Sequence, residues 1–317
     1  MRYDIQKLIE GAELKWDIIL QERLKDKLFL EQHGYKVYSQ NYEDGVIQEI
    51  FKRIGTTNKK FIEFGVQDGI ESNTHYLLLL GWSGLWIEGS EEHCNTIKRK
   101  FKETVISGQL KLCNAFITKS NINLLFSQSG YRGEIDLLSI DIDGNDYHVL
   151  EAITEVNPRV ISIEFNSLFP PECHWVMPYN ENHVVTDNSY FGASLLALEQ
   201  LCARKGYQLV GTNITAVNAF FVRKDLTADL FPLPATAENL YNPLRARQIT
   251  KLRTPTHIFL NESLKSRLQF NQFEANKCKE LELKKVSKIK LLLGLPRAVG
   301  VAIIQFVKKY NHKFMDL

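Results

Sequence analysis

No stretch of the sequence reaches the roughly 18 uninterrupted apolar residues that a membrane-spanning helix needs, so no such helix is expected. The opening residues, Met1 to Lys7, lack the basic-then-apolar pattern of a secretory signal, and the expectation is a protein made and kept in the cytoplasm. Cysteine is sparse. Cys94, Cys113, Cys173, Cys202 and Cys278 are odd in number, scattered, and show no C-x-x-C spacing, which speaks against a disulfide framework, a zinc site or a redox pair. Internal repeats and low-complexity tracts are also missing, so neither a solenoid nor a tail protein is expected. Nor is there an excess of one charge. Lys plus Arg number 39 against 37 Asp plus Glu, and a net +2 argues against a dedicated nucleic-acid coat.

That balance hides an asymmetry. From Arg245 onward there are 16 Lys/Arg against 5 Asp/Glu, a net +11, which leaves 23 against 32, a net −9, for residues 1–244. The basic end reads either as a solvated helical face or as a contact for an anionic membrane surface or a polyanionic substrate. Contact with the inner face of a membrane through it would be peripheral.

What is present is a chain of 317 residues, 44% hydrophobic, long enough for a substantial core. Residues 4–32 carry apolar side chains at helical spacing, which predicts an amphipathic helix able to cap the domain or pair with a second subunit in a homodimer. A second helix is expected after Ser39, with Val46, Ile47, Ile50 and Phe51 inward and an end near Gly55. Short apolar runs then alternate with helical patterns, as in parallel strands joined by crossover helices. Strands are expected at 60–65, 84–88, 110–116, 135–141 and 159–165, with helices near 71–80, 91–102, 119–127, 145–155 and 190–205. Residues 166–189 form a long aperiodic loop, a length usually tied to function. Strands at 207–212 and 216–223 are three residues apart, a link too short for a crossover, so one of them runs antiparallel. The expected fold is α/β: a Rossmann-like class I methyltransferase sheet of seven mainly parallel strands ending in an antiparallel hairpin. Three regions follow: an N-terminal helical segment (1–58), a core (59–225) and a basic, partly helical extension (226–317). Within the extension, 226–262 reads as mostly irregular, 263–293 as basic helix, and 298–307 as an apolar run.

The first strand leads into Glu63-Phe-Gly65-Val-Gln-Asp-Gly69, an acidic-x-Gly-x-x-x-Gly turn without the three-glycine spacing of a nicotinamide site. Glycine there would let the backbone approach a ligand closely, though an ordinary strand-to-helix turn has the same appearance. A carboxylate beside the turn suits a ligand carrying an ammonium group and a sulfonium. Glu88 ends the second strand, where it can accept from both hydroxyls of a ribose, and Asn114 ends the third, where it can bond an adenine edge or simply form a turn.

The fourth strand ends in Asp141-Ile-Asp143-Gly-Asn-Asp146 and the fifth in Glu164-Phe-Asn166. Adjacent strands lie about 4.8 Å apart, so Asp141, Asp143, Glu164 and Asn166 can share a small volume. Oxygen donors of that kind suit Mg²⁺ or Mn²⁺, which would hold and acidify a substrate hydroxyl. Alternatively Asp143 or Asp146 caps the next helix, or Asp143, Glu164 or His174 acts as a general base. His174 and His183 share the long loop with Trp175, Tyr179 and Asn180, types that stack on and bond a sugar or an aromatic substrate; His183 reads as solvated. His75 and His148 read as structural, and His33 as a helix-end dipole partner.

At these motifs the chain resembles the FkbM-like S-adenosylmethionine-dependent methyltransferases, including members associated with bacterial polysaccharide and natural-product clusters. The matching stretches are Ser39 to Asp44, Phe61 to Gly69, Ser72-Asn73-Thr74, Gly81 to Glu88, Ile135 to Tyr147, Glu164 to Asn166 and Asn218 to Val222. The resemblance implies methyl transfer, usually to oxygen, with Glu63, Gly65 and Glu88 on the cofactor and Gln40 at its methionine end. Gly69, Ser72, Asn73, Thr74, Asn114 and Asp141 join the expected cofactor set. Where the family more usually has Asp-Val-Glu-Gly, this chain has Asp141-Ile-Asp143-Gly. The expected activity is O-methylation of a sugar hydroxyl in a polysaccharide, glycolipid or related natural product, with a carbohydrate or small-molecule acceptor. The alternatives are a nicotinamide-dependent reductase, or a nonenzymatic adaptor docking on membranes.

Overall fold

The computed structural model of the chain describes residues 19, 20, 22–184 and 190–243. The expected helix over residues 4–18, the basic helices at 263–293 and the apolar run at 298–307 lie outside the described residues.

Seven strands form one sheet: β1 (Lys60–Phe64), β2 (Ser83–Glu88), β3 (Leu110–Asn114), β4 (Gly133–Ile140), β5 (Val156–Glu164), β6 (Tyr207–Thr212) and β7 (Asn218–Arg223). Their order is β3-β2-β1-β4-β5-β7-β6; the first five are parallel, and the β6/β7 hairpin is antiparallel with β7 against β5. The mixed architecture is the one expected from the sequence. Between β1 and β4 the chain reverses its direction of travel across the sheet, the place where open α/β sheets bind ligands.

Alternation along each strand divides the core in two. Ile62, Phe64, Ile87, Leu138, Ile140, Ile161, Ile163, Ala219 and Phe221 face one side. There they meet α5 (Ile122–Gln128), α6 (Asp146–Ala152), α7 (Leu195–Arg204) and α8 (Ala237–Leu240). Phe61, Trp86, Leu137, Val160, Phe220 and Val222 face the other, against α1 (Glu43–Ile54), α2 (His75–Leu79) and α3 (Glu91–Lys100). On that second face, two-residue periodicity carries Glu63, Glu88, Ser139, Asp141, Ser162, Glu164 and Asn218 to the strand ends on the side of α1. A short α4 (Lys102–Ile106) follows Phe101, so the helix expected at 91–102 is two pieces.

The other departures have local causes. The helix expected from residue 71 begins only at His75, because Glu63 takes the Asn73 and Thr74 amides. The helix expected from 190 begins at Leu195, where the Ser194 hydroxyl accepts from the Ala197 amide and caps it. The first helix, expected to reach residue 32, ends in the described part after Arg23. Arg53 donates to the Lys27 and Leu28 carbonyls and so draws this stretch out of a helix, until a 3₁₀ turn at Leu30–His33. His33 sits on that turn, its Nδ1 3.7 Å from Glu49. The residues after β7 fold back on the core, where Phe231, Ala237, Leu240 and Tyr241 are buried. Arg23 ties them to the N-terminal side by donating to the Tyr241 and Asn239 carbonyls. Among the described residues no helix is long and apolar enough to cross a membrane.

Candidate active site

The turn after β1 is built around two glycines in the left-handed region, Gly65 (φ +78°) and Gly69 (φ +79°). A Cβ on Gly65 would lie 1.5 Å from the Asp141 carbonyl oxygen, and one on Gly69 2.5 Å from the Trp86 ring. The glycines are therefore demanded by the protein's own packing, a nearer cause than the ligand approach expected from the sequence. Glu63 is buried beneath the turn and accepts from the Asn73 amide (2.8 Å), the Thr74 amide (3.0 Å) and the Thr74 hydroxyl (2.5 Å). Burial, against those three bonds, pushes its pKa up to about 7. The Asn73 amide nitrogen donates to Ser139 Oγ, Ser72 Oγ to the Gly69 carbonyl, and the Trp86 indole to Thr74 Oγ1. Glu63, Ser72, Asn73 and Thr74 thus form one network that shapes the turn from below.

Glu88 stands at the end of β2, 8% exposed. Its Oε2 accepts from the Gln67 amide and its Oε1 from the Ser90 amide, both at 2.8 Å. The carboxylate therefore locks the β1 turn to the β2 turn. The Asn114 amide nitrogen donates to the Glu88 and Gly89 carbonyls, closing the same corner. Gln40 is exposed in the turn leading to α1.

At the ends of β4 and β5, one carboxylate oxygen each from Asp141, Asp143 and Glu164 lie within 4.8 Å of one another. Asp143 occupies the left-handed region (φ +55°). Asp146 is buried, accepts from the Ile142 and Gly144 amides (2.8 Å each), and so caps the turn from within. Burial raises the pKa of all four carboxyls, and for Asp141, Asp146 and Glu164 the neighbouring carboxylates raise it further. No lysine or arginine among the described residues forms an ion pair with any of the four. Asn166, expected beside them, has its amide spent on the loop: Nδ2 donates to the Phe191 carbonyl and Oδ1 accepts from the Leu168 amide.

The long loop is ordered against this turn on both flanks. Asn145 Nδ2 donates to the Asn180 carbonyl while the Asn180 amide donates back to Asn145 Oδ1, and the Gly192 amide donates to the Gly144 carbonyl. His183 Nε2 lies 3.1 Å from the Asp143 carbonyl, which can only accept, so the proton sits on Nε2. A Cβ on Gly144 would come within 2.2 Å of the His183 ring. The histidine at the acidic turn is therefore His183, which the sequence suggested was solvated. His174 is exposed, in a stretch where the Trp175 amide is drawn to Ser194 Oγ. His75 and His148 are structural: His75 stacks on Tyr38 with ring centroids 3.8 Å apart, and His148 Nε2 bonds the Met177 carbonyl at 2.7 Å.

Two groups lie inside stretches that carry the resemblance, Glu43 in Ser39 to Asp44 and Asn218 in Asn218 to Val222, but were given no role of their own. Glu43, buried at the start of α1, accepts from the amides of Asn213 (2.7 Å) and Asn218 (2.9 Å), and it is among the charges that raise Asp141. Asn218 stands directly opposite Glu164 in the β5/β7 register. The signal that pointed to them was their place in those two stretches.

This sheet order, with acids at the ends of β1, β2, β4 and β5 around its switch point, is the Rossmann-like arrangement, mainly parallel with an antiparallel hairpin at its end, that the sequence led one to expect. Residues 63–209 match the family model of the methyltransferase FkbM domain. The match takes in just under half of the chain, and over it the chain is similar to the FkbM methyltransferases. Among solved structures, the METTL16 MTase domain is 13% identical, with 55% of this chain and 63% of that one covered and a TM-score of 0.36. PKMT2 from Rickettsia typhi, in complex with AdoHcy, is 15% identical over 41% of this chain and 26% of that one, at a TM-score of 0.30. A SAM-dependent methyltransferase from Aquifex aeolicus is 11% identical over 70% of this chain and all of that one, at 0.36. The chain thus spans less than two thirds of the first two. No curated protein matches it.

Proposed function

We propose that the protein is an S-adenosylmethionine-dependent O-methyltransferase acting on a sugar hydroxyl of a polysaccharide, glycolipid or related natural product. The observation that carries this reading is the group of carboxylates at the ends of β4 and β5, beside the Gly65 turn, that no lysine or arginine among the described residues pairs with. S-adenosylmethionine, when bound, supplies an activated methyl group on a cationic sulfur. The residues present fit it. Each Glu88 oxygen takes one backbone amide and keeps a lone pair for a ribose hydroxyl. A Cβ on Gly89 would meet Phe116 and Ala115 only at ordinary contact distance, 3.6–3.9 Å, so the protein's own packing does not require a glycine there. Phe116, half exposed, offers an apolar face beside it.

An acceptor hydroxyl held at the acidic turn would lose its proton to a carboxylate as its oxygen takes the methyl carbon and the carbon–sulfur bond breaks, the sulfur leaving as a neutral thioether. A carboxylate whose pKa is raised, by burial at Asp143 and by burial and like charge at Glu164, is a competent base for that proton in its ionised form. Asp143 and Glu164 fill this role in the proposal. Asp141, Asp143 and Glu164 are also the groups that would hold a metal ion assisting the transfer by acidifying the hydroxyl. Trp175, Tyr179 and Asn180 on the docked loop supply stacking and hydrogen-bonding types suited to a carbohydrate. Contact with an anionic membrane through residues 226–317, which would bring a lipid-linked acceptor close, is part of the same proposal.

Transfer of labelled methyl from S-adenosylmethionine to a panel of glycans, glycolipids and other acceptors tests the reading. Label released from the product by ether cleavage supports it; label found only on nitrogen or carbon overturns the O-methyl assignment.

A further inference from the structure

The acidic turn has a neighbour on β7, Asn218, whose place in a matching stretch assigns it no role. Asn218 is 2% exposed, its Nδ2 donates to Glu43 Oε1, and its Oδ1 has no hydrogen-bond partner. The residue directly across the β5/β7 ladder is Glu164, whose Oε2 is likewise buried and without a partner. Opposed residues of an antiparallel pair project from the same face. Asn218 therefore stands on the carboxylate side of the sheet, and Glu43, by holding the amide nitrogen, fixes the orientation of the amide. Ser162, two residues before Glu164 and on the same face, also has a buried hydroxyl oxygen without a partner. With Glu164 ionised, two acceptor oxygens on opposed residues cannot satisfy one another, and a buried acceptor left unsatisfied costs about 1–3 kcal/mol. Something that accepts lone pairs belongs between them.

We propose that Asp141, Asp143, Glu164 and the amide oxygen of Asn218 form one binding site for a divalent cation of the Mg²⁺, Mn²⁺ or Ca²⁺ class. All four donors are hard oxygens, with no sulfur and no imidazole among them, which is the donor set of those ions rather than of zinc or copper. Asn218 takes the place that the sequence gave to Asn166, whose amide is committed to the loop. Glu43 acts through Asn218 as a positioning residue, in the way outer carboxylates orient metal ligands. Only what the cation does for the acceptor rests on the methyltransferase reading; whether it binds does not.

Titration of the full chain with MnCl₂, following loss of the free Mn²⁺ electron paramagnetic resonance signal, tests the site without any cofactor. One Mn²⁺ per chain is expected, displaced by excess Mg²⁺ or Ca²⁺. Glu164→Gln and Asn218→Leu should each weaken binding about tenfold or more, while Glu91→Gln with Glu92→Gln, on the exposed face of α3, should not. Asn218→Ser, whose shorter side chain keeps a polar group but lacks the reach, should weaken it as well and covers the case in which the leucine variant does not fold. No Mn²⁺ bound at millimolar concentration, or binding unchanged in Glu164→Gln, overturns the site. Binding weakened by Glu164→Gln but untouched in a folded Asn218 variant overturns the four-donor assignment. A separate S-adenosylmethionine titration distinguishes failure here from failure of the methyltransferase reading.

Discussion

The carbonyl oxygen of Asp141 fills the space that a side chain on Gly65 would need, with an ideal Cβ only 1.5 Å away. The turn after β1 and the acidic end of β4 are thereby one piece of structure: moving either moves the other. Gly65→Ala should destabilise the protein by about 2 kcal/mol or more, from the left-handed backbone and the clash together. It should also weaken S-adenosylmethionine binding, and a thermal melt paired with a cofactor titration reads both. A variant with unchanged Tm and affinity would show that the two turns are not coupled.

Asp136 is fully buried at the opposite end of the sheet and pairs with Arg159 at 2.7 Å. Burial pushes its pKa up, but the Arg159 guanidinium and the Thr57, Lys59 and Asn58 amides outweigh this and hold it below the ordinary carboxylate value. A depressed folded pKa gives stability that is present above the unfolded value of about 4 and is lost as pH falls through the folded one. Asp136→Asn should cost about 3 kcal/mol at pH 7, because it leaves a buried guanidinium without its counter-charge. Urea midpoints at pH 7 and pH 3 check this: the gap between wild type and variant should narrow at the lower pH.

Gly144 has no side chain where the His183 ring rests. Gly144→Ala should displace that ring and loosen the docked loop while leaving the global melting transition nearly unchanged, since His183 is only partly buried. Proteolysis between residues 166 and 193 should accelerate, and so should that of Asn145→Ala, which removes the reciprocal bond to Asn180. Equal cleavage rates in wild type and both variants would contradict the docking role.

Asp143→Ala and Glu164→Ala should each lower methyl transfer by about 10²-fold or more if they hold the acceptor and its proton, with S-adenosylmethionine affinity little changed in Asp143→Ala. Full turnover in both would remove the acidic turn from the chemistry.

Much of the fold was legible because strand cores write themselves into short, mostly apolar runs: Ile62 and Phe64 flank only Glu63 in β1, and a single serine interrupts Leu137 to Ile140 in β4 and Val160 to Ile163 in β5. Glu88 was legible because a strand terminus fixes where its carboxylate stands. The contacts that complete the acidic turn were not. Glu43 and Asn218 meet across 175 residues of chain, and no local spacing announces such a pair. His183 looked like any loop histidine, since its place depends on a distant glycine, Gly144, leaving room for a ring. Asn166 illustrates the opposite case: its position beside Glu164 suggested a shared site, but the loop after β5 needs its amide to hold Phe191 and Leu168.

The measurement that bears most directly on the account is calorimetric titration of the purified protein with S-adenosylmethionine and, separately, with NADPH, in the wild type and in Glu88→Ala. One-to-one binding of S-adenosylmethionine, weakened about tenfold or more when the Glu88 carboxylate is removed, with no binding of NADPH, is the predicted result. Binding of NADPH in its place, or of neither, would contradict it.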